Sequence, residues 1–304
     1  MNQKLTVATT WLQSCSGCHM AFFDMHAELL DVMQLIDIKY STIMDVKEVP
    51  EVDVGLVEGA VANEDNAELL NTFRQRCKTL VALGTCACFG GVPGLRNLHD
   101  RGDVLQRGYV QTESTVDGKV PAGEEIPALM DSVKPIGQLV KVDFQLPGCP
   151  PTPGAIRDAL MALAKGEAPE VKTRNLCEEC NRKKERMLVA SRDFVTSNVL
   201  APNELATIDR ELCFLEQGVL CMGPATREGC GSRCLHGNMP CRGCMGPTPD
   251  ALEQGAKMVN ALASILPAGA LMFNEDVVGV GYRYSLPVSI FPQVERVSKG
   301  KGEG

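Results

Sequence analysis

Fourteen cysteines stand in a chain of 304 residues, and their spacing is its main chemical feature. Cys15-Ser16-Gly17-Cys18 sets two thiols three apart. Such a pair can hold two corners of one metal site, because both sulfurs turn inward without stretching the backbone. The same spacing serves a redox dithiol, and Cys15-Ser16-Gly17-Cys18-His19 also matches a haem-attachment string. Further on come Gly84-Thr85-Cys86-Ala87-Cys88 and Pro147-Gly148-Cys149-Pro150-Pro151. Then eight cysteines crowd one stretch: Cys177, Cys180, Cys213, Cys221, Cys230, Cys234, Cys241 and Cys244. Eight is the number that two four-cysteine centres require. Glycine and proline interleave with them, as in a loop-built cluster domain. Long apolar periods are few there, so metal binding is expected to supply much of the stability. Paired C-x-x-C elements also suit structural zinc. Iron–sulfur is preferred because the first half already looks like an electron-carrier site.

The bulk composition narrows the setting. Asp and Glu number 38 against 30 Lys and Arg, so the charge does not suit nucleic acid. Met1-Asn2-Gln3-Lys4 runs straight into a strand, with no export signal or twin-arginine pair. No apolar run is long enough for a membrane span. A cytoplasmic location is expected, where cysteines are poor candidates for a disulfide framework and haem attachment is disfavoured.

The cysteines need a scaffold. Residues 4–12, 36–44, 53–61, 79–84 and 139–146 read as strands, and 20–30, 64–77 and 153–165 as helices. The alternation predicts an α/β fold with a doubly wound parallel sheet, flavodoxin-like, in residues 1–168. An irregular cluster domain should fill 169–304, with a helix over about 249–265 that docks on a neighbour and a frayed tail from Lys299. In open parallel sheets, ligands gather beyond the strands' carboxyl ends. Cys15, Cys18, Cys86 and Cys149 all lie just past such ends, and four convergent cysteines are a 4Fe–4S ligand set. Gly17, Gly84 and Gly148 would let backbone N–H groups approach the inorganic sulfurs. Cys88 could replace Cys86; Cys86 is preferred because it follows the strand end directly. Cys77, placed at a helix end, reads as a buried small hydrophobe. Glu58 reads either as a proton relay or partner contact at the cluster mouth, or as a solvated loop acid. For His19, a helix-start histidine bonded to backbone is preferred over a proton-handling role.

The motifs together resemble a known family, the small electron-transferring subunit of nickel–iron hydrogenases. The matching pieces are Cys15-Ser16-Gly17-Cys18-His19, Glu58-Gly59, Gly84-Thr85-Cys86, Pro147-Gly148-Cys149-Pro150, Cys221-Met222-Gly223-Pro224-Ala225-Thr226 and Pro240-Cys241-Arg242-Gly243-Cys244, in the family's order. The details are most similar to cytoplasmic enzymes of the methyl-viologen-reducing, F420-non-reducing type. The resemblance implies three 4Fe–4S clusters: a proximal one on Cys15, Cys18, Cys86 and Cys149, a distal one on Cys177, Cys180, Cys213 and Cys221, and a medial one on Cys230, Cys234, Cys241 and Cys244. It also implies a large-subunit partner that holds the nickel–iron centre and performs the H2 chemistry. Further iron–sulfur or flavin subunits, heterodisulfide-reductase-like or electron-bifurcating, would take the electrons. Exported relatives have histidine where Cys177 stands, glutamate where His19 stands, and no counterpart of Cys234. An all-thiolate relay should sit at low potential, suited to ferredoxin, flavin or nicotinamide partners. The alternative is an iron–sulfur subunit related to the respiratory quinone-reductase subunit, which has adjacent tandem cysteines at the first site and no second cluster domain.

Overall fold

The computed structural model describes residues 4–185, 208–265 and 276–290. The tail from Lys299 and residues 1–3, on which part of the export reading rests, lie outside the described residues.

The first half is built on five parallel strands: β1 (Leu5–Trp11), β2 (Ile36–Ser41), β3 (Val52–Glu58), β5 (Cys77–Leu83) and β7 (Phe144–Leu146), in the order β2-β1-β3-β5-β7. Counting only these strands, that is the 2-1-3-4-5 order of flavodoxin-like sheets. Side chains alternate across the sheet as the strand period requires. Ala8, Val57, Leu80 and Ala82 face one layer, with Leu70 and Phe73 of α3 (Glu64–Arg76) and with Ala87 and Phe89 of α4 (Gly84–Phe89). Val7, Leu56, Val81 and Leu83 face the other, with Ala21 and Phe22 of α1 (Gly17–Phe23), Val32 of α2 (Glu28–Leu35), and Ile156 and Leu160 of α6 (Pro153–Ala164). Asn63 caps α3 by accepting the Asn66 N–H at 2.8 Å. Acids in that helix's first turn and arginines in its last suit its dipole.

Several expected elements differ. The helix over 20–30 is two, because the chain turns between them and His26 takes a left-handed φ of 52°. Cys77 begins β5 and does not end a helix. The strand expected over 36–44 stops at Ser41. That over 53–61 stops at Glu58, where Gly59 turns with φ 92°. A Cβ at Gly59 would stand 2.9 Å from the Gln13 carbonyl oxygen. The chain then enters β4 (Val61–Asn63), which pairs antiparallel with β6 (Leu129–Lys134); α5 (Arg101–Tyr109) lies between the two in sequence. The strand expected over 139–146 shrinks to β7, because the Asp143 carboxylate takes the Leu80 N–H at 2.8 Å and Arg74 at 2.6 Å. The late helix starts at Gln254, not near Pro249.

The second half buries more than its composition promised. Leu176, Phe214, Leu215, Leu220, Met222, Leu235 and Met258 form its own core, between short turns and the helix Gln254–Ile265. Met258 is buried there, while Leu252, within the stretch expected to dock as a helix, precedes the helix and is exposed. The two halves interlock. Gly246 lies so close to Phe89 that a Cβ would stand 2.2 Å from its ring, and Gly90 and Gly94 receive Pro287 in the same way.

At the end of the sheet opposite Cys15, Cys18, Cys86 and Cys149, Asp53 ties three strands. Its Oδ2 accepts the Thr6 N–H at 2.9 Å and the Thr6 hydroxyl at 2.7 Å, and its Oδ1 accepts Lys78 Nζ at 2.8 Å. The Lys78 hydrogen bond, then those from Thr6, hold its carboxyl down at about 2. Asp53→Asn should cost about 1–2 kcal/mol, mainly through the Thr6 bonds, since Lys78 is exposed. A depressed carboxyl stabilises fully above its unfolded pKa of about 3.9 and loses that contribution as pH falls through the folded value. The penalty should therefore be constant between about pH 5 and pH 8, as measured by anaerobic denaturant unfolding.

Candidate metal centres

The parallel sheet brings the first four cysteines together. Cys15 and Cys18 leave the end of β1, Cys86 sits in α4 after β5, and Cys149 follows β7. Cys18 feels the charges of Cys86, Cys149 and Cys15, and Cys86 those of Cys149 and Cys15. Gly84 (φ 84°) is pressed against this set, since a Cβ would stand 2.3 Å from Cys18 Sγ. Gly91 presses likewise on Cys86 Sγ at 2.6 Å. Cys88 points elsewhere: it is 4% exposed, belongs to the core beneath α4, and its Sγ lies 3.5 Å from the Ala82 carbonyl.

Glu58 and His19 form a buried pair beside Cys18. Glu58 Oε2 accepts His19 Nδ1–H at 2.5 Å and the His19 backbone N–H at 3.0 Å, and the carboxylate also takes the Cys18 N–H. His19 Nε2 bonds the Thr9 hydroxyl, and Trp11 meets the ring edge-on at 5.2 Å. Glu58 is 1% exposed, so it is not a solvated loop acid, and the imidazole of His19 bonds side chains, not backbone. Burial pushes the Glu58 carboxyl up, but the His19 bonds and the helix-start N–H groups together hold it below its ordinary value.

The eight later cysteines gather as two sets. Cys177 neighbours Cys213 and Cys180, and Gly223 lies between the sulfurs of Cys177 and Cys221, 3.3 and 3.6 Å from a Cβ placed there. Cys244 neighbours Cys230 and Cys234, and Cys241 stands between the sets, with Cys221 as its stronger thiol neighbour and Cys244 as the weaker. The sets touch one another in a line. Cys244 neighbours Cys149 and accepts its backbone N–H, and the Cys241 N–H lies 3.3 Å from Cys221 Sγ. Burial, then mutual repulsion, pushes the thiols of Cys86 and Cys244 up to about 12. Burial likewise lifts Cys221 to about 12. As bare thiolates they are disfavoured, whereas a bound cationic iron centre would reverse that cost. Glycines against the sulfurs and N–H···S contacts make these sets fit iron–sulfur clusters. Among the described residues, no group of three or more His, Cys, Asp or Glu is arranged to hold one metal ion.

Two further residues position these loops, and the sequence reading did not single them out. Glu179 accepts the Gly229 N–H at 2.7 Å and the Gly231 N–H at 2.9 Å, bracketing Cys230. Thr85, fully buried, accepts the Gly148 N–H at 2.9 Å and donates to the Cys244 carbonyl at 2.5 Å. An acid inside a C-x-x-C and a threonine before a cysteine were the available signals.

Comparison with known proteins places this geometry. The chain is 40% identical over 306 aligned residues to an F420-non-reducing hydrogenase subunit of Methanothermobacter marburgensis, covering 96% of this chain and 97% of the relative. The chain belongs to that family, the small subunits of nickel–iron hydrogenases. An F420-non-reducing hydrogenase subunit of the vhu type, from Methanocaldococcus jannaschii, is 43% identical over 279 residues, covering 91% and 93% of the two chains. Residues 15–163 match the profile described as NADH ubiquinone oxidoreductase, 20 Kd subunit. Among solved structures, a chain of the NAD+-reducing [NiFe]-hydrogenase superposes with TM-score 0.54 at 38% identity, over 56% of this chain and 96% of that one. A chain of the [NiFeSe]-hydrogenase of Dm. baculatum superposes with TM-score 0.51 at 19% identity, over 82% and 96%, a likeness of fold alone. The chain is thus an iron–sulfur, electron-transferring subunit of an oxidoreductase acting on H2. No described helix is long and apolar enough to cross a membrane.

Proposed function

We propose that this chain holds three 4Fe–4S clusters, ligated as the resemblance implies, within a cytoplasmic nickel–iron hydrogenase. The observation that carries the reading is the line of three cysteine sets joined through Cys149–Cys244 and Cys241–Cys221. Bound clusters would supply one-electron redox chemistry, linking H2 oxidation or proton reduction in a large subunit to a further electron-accepting subunit. The chain's own part is to hold the thiolates, exclude water and fix the spacing. Residues 1–168 would form the unit with the first cluster and 169–304 the unit with the other two.

The large subunit would meet the end of the sheet where Cys15 and Cys149 are exposed. Met20, Phe23, Ile43 and Met44 are exposed in the segments that follow β1 and β2, and Phe23, Ile43 and Met44 line a hollow of about 320 Å³ beside His19. An apolar rim of this kind suits an obligate interface. The Glu58–His19–Thr9 line offers a place to hold a proton beside Cys18. The all-cysteine sets support a low-potential partner, an iron–sulfur or flavin subunit of heterodisulfide-reductase-like or electron-bifurcating type.

The test is anaerobic purification of the native complex. About twelve irons with matching sulfide should accompany each copy of this chain, together with a nickel-containing large subunit and H2-dependent viologen reduction. About four irons, or stoichiometric zinc, would overturn the three-cluster reading.

A further inference from the structure

Arg182 takes a permanent positive charge into the interior of the second half. It is 6% exposed. Nη1 donates to the carbonyls of Asp209 and Leu212, both at 2.8 Å, and Nη2 to Asn238 Oδ1 at 2.5 Å and the Leu235 carbonyl at 3.4 Å. Nε has no partner. The guanidinium lies 3.8 Å over the ring of Phe214. Every acceptor it bonds is neutral, and among the described residues no carboxylate is within ion-pair reach. A buried charge without a counter-charge is costly, and such groups are ordinarily paired. The charges that Arg182 faces most strongly are those of Cys180, Cys221 and Cys213; the Asp209 carboxylate is a weaker neighbour.

We propose that Arg182 is the counter-charge of the centre held by Cys177, Cys180, Cys213 and Cys221, and that it raises that centre's reduction potential. This rests on the reading of those cysteines as ligands of a 4Fe–4S cluster. Such a four-thiolate centre is net negative and gains one more negative charge on reduction. A fixed cation in a poorly solvated site therefore stabilises the reduced form more than the oxidised one. Arginine suits the task because it keeps its proton at any working pH. Arg182 approaches the Cys230–Cys234–Cys241–Cys244 set only through neutral groups of Leu235 and Asn238. Its effect should thus be confined to one of the three centres.

The experiment uses the whole hydrogenase complex with Arg182→Met and Arg182→Lys, titrated potentiometrically and followed by electron paramagnetic resonance. In R182M, the equilibrium constant for reducing one centre should fall about tenfold, which is about 59 mV for one electron. The other two centres should not move, and R182K should keep most of the native potential. R182M with full iron and no shift would overturn the proposal. If R182M loses one cluster while R182K keeps it, the need is for charge, which supports the proposal. Loss of the cluster in both would mean that the planar fork holds the loops, and the counter-charge proposal fails. A native complex short of twelve irons would instead remove the three-cluster reading before any variant is compared.

Discussion

In Cys86→Ala protein, the complex should keep about eight of the roughly twelve irons that three clusters require and lose H2-dependent viologen reduction. Cys88→Ala should keep about twelve irons and the activity. The two thiols are two residues apart on one short helix, so composition and local context are nearly identical. What separates them is direction. Cys86 joins Cys15, Cys18 and Cys149, with Gly91 leaving room for its sulfur. Cys88 faces the core and touches the Ala82 carbonyl. Removing a single buried sulfur without a polar partner of consequence should cost about 1 kcal/mol. Iron and sulfide analysis of the two variants, with a thermal melt of each, distinguishes these outcomes. Equal iron loss in both, or loss only in Cys88→Ala, would reverse the assignment.

The second large effect is expected at Glu58. Alanine there would leave the His19 ring, the His19 N–H and the Cys18 N–H without their acceptor, all inside the protein. Each buried donor left without its acceptor costs about 1–3 kcal/mol, so the loss of all three should cost about 3–5 kcal/mol. Gln retains an oxygen for one or two of these donors and should cost roughly half as much. Denaturant unfolding of the anaerobic protein measures both. Equal stability of Glu58→Ala and the unaltered protein would show that this pair does not brace the first cysteine loop.

Much of this site was legible from the sequence, for a physical reason. β-branched runs followed by Gly or Cys mark the ends of parallel strands, and fold geometry then brings those ends together. That reasoning placed Cys15, Cys18, Cys86 and Cys149 at one edge. It could not foresee β4 and β6. A three-residue strand has no measurable period, and its partner follows a polar stretch with weak patterning. Nor could it see that Asp143 would cut the last strand short, since an aspartate within an alternating run looks like any outward-facing residue. The Glu58–His19 pair lay within reach. Trp11 of β1 sits opposite Glu58 of β3, so the loop leaving β1 had to pass over that carboxylate. Arg182 did not, because an arginine near a cysteine pair carries no mark of burial. Only the fold shows that Phe214 and Asn238 close over it.

Thr85 bears on how freely the two halves can be exchanged. Its hydroxyl has two obligations, one to the loop before Cys149 and one to the carbonyl of Cys244. A sequence boundary near residue 168 invites the idea of two modules that evolution or an engineer could recombine. The hydroxyl makes that junction part of the wiring. A chimera that grafts another cluster unit onto this sheet must present a carbonyl at the same point, or it buries a donor with nothing to bond. The same chimera must also supply a glycine opposite Phe89 and a proline-sized projection for the hollow at Gly90 and Gly94.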